Sequence, residues 1–523
     1  MTLPYLPDDC IYHILHHLQN DRSTLFNCLL VNRFWCKSTI PLLYENPFVN
    51  ITEKNYSIIF TLISCFNKEE TLQLKNQLEP NQIDNINLDE EYKPLFEYPK
   101  YLEKYNYFII NSVINSCFVR YFSNLSTSHN KIYYIIPIFH QSILRQSKNI
   151  KQLDISLYLF YRKWFKNFKV QNFTSNLTRL NSLSLNFYLN GTVNNKIEQE
   201  FLSNIANICL NLRELIIKLP QIQRYVTSNN LINSTTLKKL YTIIQEQNKL
   251  KIFKIRNCYS LLNNILLSLE FQKSSLVQLE FTNTNFSNVS LKNFRNLYNL
   301  KYLRFEKCEG ILLDQCEVLN IVSFKLTKLS LKRNNWGVDV ASLMIKYLGT
   351  SLQSLLVDNP TIPLIENMLI FCSNLIFFKI RIYYHLDLTV LPFFKDLNSI
   401  RILSINVISY NSEFFINLAN NIPININEIS IYIYFRNSNK FLRFKEFLEN
   451  CHNGFKIINL NHIIELEFLK IVLNYIERSN NNLKIFGMLG LDKELNDEEL
   501  NLLNQIKDKG VKILDSYSFH SYY

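Results

Sequence analysis

The sequence predicts an α/β fold of the repeat type: a curved parallel β-sheet on the concave side, helices and turns on the convex side, entered through three N-terminal helices and a mostly helical linker. Two observations carry this expectation. An apolar-x-x-apolar-x-apolar pattern recurs from residue 150 to the end of the chain, and such self-similarity is the mark of stacked repeats. Ahead of it, apolar residues recur at helical rather than strand spacing. At 523 residues, with 47% hydrophobic and 19% charged side chains, the chain exceeds one ordinary compact domain and has ample core. The expected division is 1–48 for the N-terminal module, 49–148 for the linker and 149–523 for the array.

The first element is a helix. Ile11, Ile14, Leu15 and Leu18 fall at i, i+3, i+4 and i+7 and line one face. Pro7 suits the first turn, and Asp8 and Asp9 favour the positive end of the helix dipole. After a polar break from Gln19, Ser23 or Thr24 is placed to cap a second helix carrying Leu25, Cys28 and Leu29. A third short helix holds Phe34 and Trp35 and is expected to stop near Pro41. So small a module does not bury all its apolar surface alone and usually needs a partner.

These residues resemble an F-box, the module that docks substrate receptors onto the Skp adaptor of SCF-type ubiquitin ligases. The Leu6-Pro7 opening, the Val31-to-Trp35 block and Leu42-Leu43-Tyr44 carry the resemblance. Cys10, where a carboxylate is common, and Cys28-Leu29-Leu30 depart from the family pattern without removing an apolar contact. The resemblance implies adaptor binding through Leu6, Pro7, Ile11, Ile14, Leu15, Leu18, Val31 and Trp35. Through the adaptor it implies cullin and RING subunits.

In the linker, Ile58, Ile59, Leu62, Ile63 and Phe66 fit one amphipathic helix, and Phe108, Ile109, Val113, Ile114 and Phe118 fit another. The acidic, proline-punctuated stretch from Glu79 to Pro99 reads as a loop. Irregular early repeats have room here.

The array holds about 13 copies, from Ile150/Leu153/Ile155 to Leu483/Phe486/Met488. Most starts lie 23 to 30 residues apart, with longer steps of 32 and 38 early on. Alternation makes a short strand, the intervening residues return as a helix or turn, and parallel stacking forms one continuous core. The pattern resembles leucine-rich repeats. Cys258, Cys308 and Asn334 share the ninth position of their copies, where a buried thiol or amide satisfies backbone groups at the bend. Val511/Leu514 reads as a degenerate last copy or a capping strand.

Eleven cysteines lie singly, with no Cys-x-x-Cys pair, the usage of a reducing compartment. No signal-peptide pattern opens the chain and no apolar run is long enough to span a bilayer, so a cytoplasmic or nuclear protein is expected. The abundant asparagines read as surface and turn filler. Only eight glycines occur, and none makes a phosphate loop or dinucleotide fingerprint. No nucleophile elbow or paired metal spacing appears. Cys10, His13 and His17 share a helix face but lack a fourth ligand. No cofactor and no catalytic residue are expected; the chain recruits rather than reacts.

A net charge of +12 admits an acidic partner, but no Lys/Arg block points to nucleic acid. Alternation turns positions 3, 5 and 7 of each copy out of the concave face. The expected substrate contacts are Lys254, Arg256, Tyr302, Arg304, Lys328, Lys332, Phe377, Lys379 and Arg381. From Lys254 to Arg381 these positions carry seven basic residues against three acidic ones, which suits an acidic or phosphorylated protein substrate. The alternative is a ligase-independent protein-interaction scaffold.

Overall fold

The structure, a computed structural model, describes residues 6–49, 56–78, 94–121, 129–188, 195–221, 232–322, 324–383, 388–407, 412–433, 439–491 and 493–515. These divide into two compact units. One runs to Asn257 and includes Leu267–Ser275; the other holds Cys258–Leu266 and the residues from Leu276 on.

The first unit opens with helices α1 (Asp8–His17), α2 (Arg22–Cys28) and α3 (Arg33–Tyr44). Asp8 and Asp9 do occupy the first turn of α1. The cap of α2 is Asp21, which accepts the Thr24 amide at 3.0 Å; a carboxylate also complements the helix dipole there. Asn32 caps α3, accepting from the Phe34 and Trp35 amides. The stop expected near Pro41 falls three residues beyond it: α3 continues through the proline to Tyr44. A proline in the last turn forfeits one backbone bond, and packing of Ile40 and Leu43, both buried, holds the turn.

Helices α4 (Ser57–Ser64) and α5 (Lys68–Lys75) follow. The first matches the expected amphipathic stretch. The second is closed by a capping box between Asn67 and Glu70, a signal read in the sequence only as part of the linker. Most of the loop expected from Glu79 to Pro99 lies outside the described residues. The expected helix around Val113 spans Tyr107–Tyr121, and a further helix, His129–Gln146, packs against it. Buried Glu70 ties α5 to that helix, receiving Arg145 through two bonds of 2.9 and 2.8 Å. The strand ladder begins inside this region: β1 (Lys104–Asn106) pairs in parallel with β2 (Gln152–Ser156). β3 (Ser182–Asn186), β4 (Glu214–Lys218) and β5 (Ile252–Arg256) continue it in register.

The second unit repeats the same construction. Its strands are β6 (Gln278–Thr282), β7 (Tyr302–Glu306), β8 (Lys328–Lys332), β9 (Ser354–Asp358) and β10 (Phe377–Ile382). Then come β11 (Ile402–Val407), β12 (Glu428–Ile433), β13 (Ile457–Ile463), β14 (Ile485–Leu489) and β15 (Lys512–Asp515). From β7 on, each pairs in parallel with its predecessor. Sequential parallel order with a helix or 3-10 turn after each strand is the repeat architecture the hexads predict. All thirteen copies are strands, from β2 to β14, and the degenerate last copy is β15. From β6 to β14 the second and fourth residues of each strand, such as Leu303 and Phe305, are buried against the returning helices. Neighbouring helices such as Val338–Leu348 and Ile362–Phe371 pack side by side.

The bend after each central strand is made by a residue with positive φ: Asn257, Asn283, Lys307, Arg333 and Asn359, at 61°, 51°, 55°, 52° and 39°. The next residue, at the ninth position, then turns inward. The Asn334 amide donates to the Phe305 carbonyl at 3.1 Å and accepts the Cys308 N–H at 2.9 Å. Buried Cys308 donates its thiol towards the Phe281 carbonyl at 3.5 Å. That is the backbone-satisfying role expected of this position.

Candidate functional site

Two surfaces are candidates, one in each unit. The first is the outer face of α1–α3. Ile11, Leu15, Leu25, Cys28 and Leu43 form a core between the three helices, with Leu18, Phe34 and Trp35 partly buried against it. Outside that core, Leu6, Tyr12, Ile14, Phe26, Leu30 and Val31 are exposed; Leu30 is 80% and Phe26 61% accessible. Of the eight residues expected to meet an adaptor, the structure exposes Leu6, Pro7, Ile14 and Val31. Ile11 and Leu15 are corrected: at 4% and 0% accessibility they pack the module's own interior and have no surface to offer. Leu18 and Trp35 stand between the two groups. Phe26 and Leu30 were missed because helical periodicity marks the buried stripe, not the apolar residues outside it.

The second surface is the strand face turned away from the helices in the second unit. Parallel register aligns its side chains in rows. One row runs Arg304, Ser330, Leu356, Lys379, Ser404, Ser430, Asn459, with Gly487 after it. A flanking row runs Glu306, Lys332 and, on later strands, Asp358, Arg381, Asn406 and Tyr432. On the other side lie Tyr302, Lys328, Ser354, Phe377 and Glu428. All of these but Glu306, Asp358, Asn406 and Gly487 line a groove of about 180 Å³. It contains seven of the nine expected substrate contacts: Tyr302, Arg304, Lys328, Lys332, Phe377, Lys379 and Arg381. The other two belong to the first unit, where Lys254 pairs with Glu214 at 2.9 Å and Arg256 ends β5 with its side chain exposed.

The charges in the groove are not equivalent. Arg304 is 3.8 Å from Glu280 and also pairs with Glu306, which in turn receives Lys332. Burial opposes the Arg304 charge, but Glu306 beside it keeps its pKa above the usual arginine value. Burial likewise opposes the Glu306 charge, and Lys332 and Arg304 outweigh it, holding that carboxyl below its usual range. Lys379 has the opposite surroundings. Burial and the neighbouring cations Arg381, Lys332 and Lys328 bring its ammonium down to about 8. Its nearest aromatic partner is Tyr432, 5.4 Å from ammonium to ring centre. Lys328 is lowered by burial and by Arg304, and lies over Tyr302 at 5.3 Å.

Sequence reasoning ended the face at Arg381 and missed Ser404, Glu428, Ser430, Tyr432 and Asn459. These line the same groove and are all under 9% accessible. The alternation rule, carried through the weaker copies starting at Ile400, Ile426 and Phe455, points to them. Charge does not mark them, since all but Glu428 are neutral.

No family model matches the chain, and no curated protein matches it. Among solved structures, the leucine-rich repeat-containing protein LegL7 from Legionella pneumophila shares 14% identity, covering 53% of this chain and 93% of its own, with a TM-score of 0.35. An internalin (InlF) from Listeria monocytogenes shares 15% identity over 71% of this chain and 88% of its own, with a TM-score of 0.28. The repeat architecture stands on this chain's own strand register. No helix among the described residues is long and apolar enough to cross a membrane.

Proposed function

We propose that the chain is the substrate-recognition subunit of an SCF-type ubiquitin ligase. In this reading α1–α3 act as an F-box that binds the Skp adaptor, the adaptor brings cullin and RING subunits, and the strand face binds the protein to be modified. The chain itself performs no covalent step. The observation that supports it best is the apolar exterior of α1–α3. A module with its own closed core still displays Leu6, Tyr12, Ile14, Phe26, Leu30 and Val31, and clustered exposed apolar residues mark protein interaction sites. The F-box resemblance of the same residues supplies the identity of the partner.

The test is co-purification of the full chain with the Skp adaptor. Capture is expected from the unaltered chain, and loss by at least tenfold from Leu6→Ala/Pro7→Ala and from Leu30→Asp/Val31→Asp. Equal capture by all three would remove the F-box reading. Cullin in the same complex supports the ligase role; adaptor without cullin supports the ligase-independent scaffold.

A further inference from the structure

We propose that the groove across β7–β13 is a binding site for a phosphoryl group, seated at Lys379 and Arg381, with the ligand's polar remainder bound along Ser404, Ser430 and Asn459. The inference deepens the recognition reading above and does not depend on the adaptor contact.

Geometry comes first. Lys379, Ser404, Ser430 and Asn459 occupy the same register position on four successive strands, and neighbouring strands lie about 4.8 Å apart. They form a line from a cation through two hydroxyls to a carboxamide. Gly487, next in register, adds no side chain beside Asn459. Arg381 and Tyr432 flank it.

The second observation is an unmet hydrogen-bonding need. Asn459 is 1% accessible, yet neither its amide nitrogen nor its oxygen has a partner; the Asn406 oxygen, 5% accessible on the flanking row, also lacks one. Buried polar atoms are almost always paired, and a native exception calls for a specific explanation. A polar ligand along the row would supply those partners.

Charge then decides the ligand's sign. Five basic side chains line the groove against one acidic, Glu428. Arg304 and Lys332 are engaged with Glu306, whereas the charges that shift Lys379 are those of the cations Arg381, Lys332 and Lys328. An ammonium surrounded by other cations and shielded from water is poorly stabilised until an anion arrives. Arginine and lysine side by side suit a tetrahedral oxyanion, the fork giving paired bonds and the ammonium a point charge.

The experiment is calorimetric titration of the full chain with inorganic phosphate, O-phosphoserine and serine, compared with Lys379→Met and Asn459→Leu. Both variants remove a strained polar group, so their melting temperatures without ligand are expected to rise, which separates lost binding from lost folding. Phosphate and phosphoserine should bind the unaltered chain; Lys379→Met should weaken both at least tenfold, whereas Asn459→Leu, three strands from the phosphoryl seat, should weaken phosphoserine more than inorganic phosphate. Affinity should also fall as pH rises through about 8 and Lys379 loses its proton. Arg381 on the same strand, Lys328 and Lys332 on β8, Asp358 on β9, and Glu428 and Tyr432 on β12 are the other groups facing it. Tighter binding of phosphoserine than of phosphate assigns the site to phosphorylated side chains; equal binding assigns it to the phosphoryl group alone. Serine binding as well as phosphoserine, or phosphate binding unchanged in both variants, overturns the proposal. Adaptor capture should be the same with and without Lys379→Met, so failure here and failure of the ligase reading are told apart.

Discussion

At the scale of the residue, Asn459 and Lys379 are both polar groups that the fold holds at a cost. An unpaired buried amide sacrifices roughly 1–3 kcal/mol relative to an apolar side chain of similar shape. Asn459→Leu should therefore stabilise the chain by about 1–2 kcal/mol in denaturant unfolding, while removing a contact from the groove. A destabilised variant would mean that the amide already has its partner within the fold. Stability surrendered at a binding surface is the usual mark of selection for function there. The sequence showed the charged members of this site and hid the neutral ones. A serine or asparagine on a strand reads as surface until register reveals that its neighbours bury it. Ile11 and Leu15 failed in the opposite direction: helical periodicity identified an apolar stripe, and that stripe is the module's own interior.

At the scale of the element, the strands were legible because a period-two apolar pattern has one physical reading when it recurs. The bends between them were less so. Asparagine tolerates the left-handed region better than other residues bearing a Cβ, and Asn257, Asn283 and Asn359 occupy it directly after their strands. The abundance of asparagine that reads as filler is in part the material of these turns. Lys307 and Arg333 occupy the equivalent positions at φ 55° and 52° without that advantage. Lys307→Gly and Lys307→Asn are expected to raise stability by about 0.5–1 kcal/mol, the scale of the left-handed penalty. Asn283→Ala should lower stability by a similar amount. A Lys307→Gly variant melting no higher than the parent would place the cost elsewhere. Arg333 is the less useful test, because its guanidinium also bonds the Tyr383 hydroxyl at 2.7 Å.

At the scale of the whole molecule, buried titratable groups set the limits of stability at both ends of the pH range. Burial lowers His140 in the first unit to about 3 and His462 in the second to about 4. His140 is held between the Tyr105 hydroxyl at 2.7 Å and the Asn111 amide oxygen. One ring nitrogen accepts and the other donates, an arrangement that requires the neutral ring. Below about 6.5 the unfolded chain takes up protons on these rings and the folded chain does not. Stability should accordingly fall as pH drops from 6.5 towards 4. The alkaline limit comes from thiols. Burial raises Cys117, Cys209, Cys258, Cys308, Cys316 and Cys372 to about 12 and Cys451 to about 11. Above about pH 9 the unfolded chain releases these protons first, so stability should be lost as pH rises further. Lys379, lowered to about 8, acts in the opposite sense between 8 and its unfolded value, but it is one amine against seven thiols. The melting temperature should therefore be highest near pH 7–9 and decline on both sides, as linkage requires. Melting curves under reducing conditions from pH 4 to 11 measure this directly. A melting temperature that holds level from pH 9 to 11 would mean that the thiols ionise as readily in the folded chain as in the unfolded one, and that the repeat core admits water where the structure packs it closed.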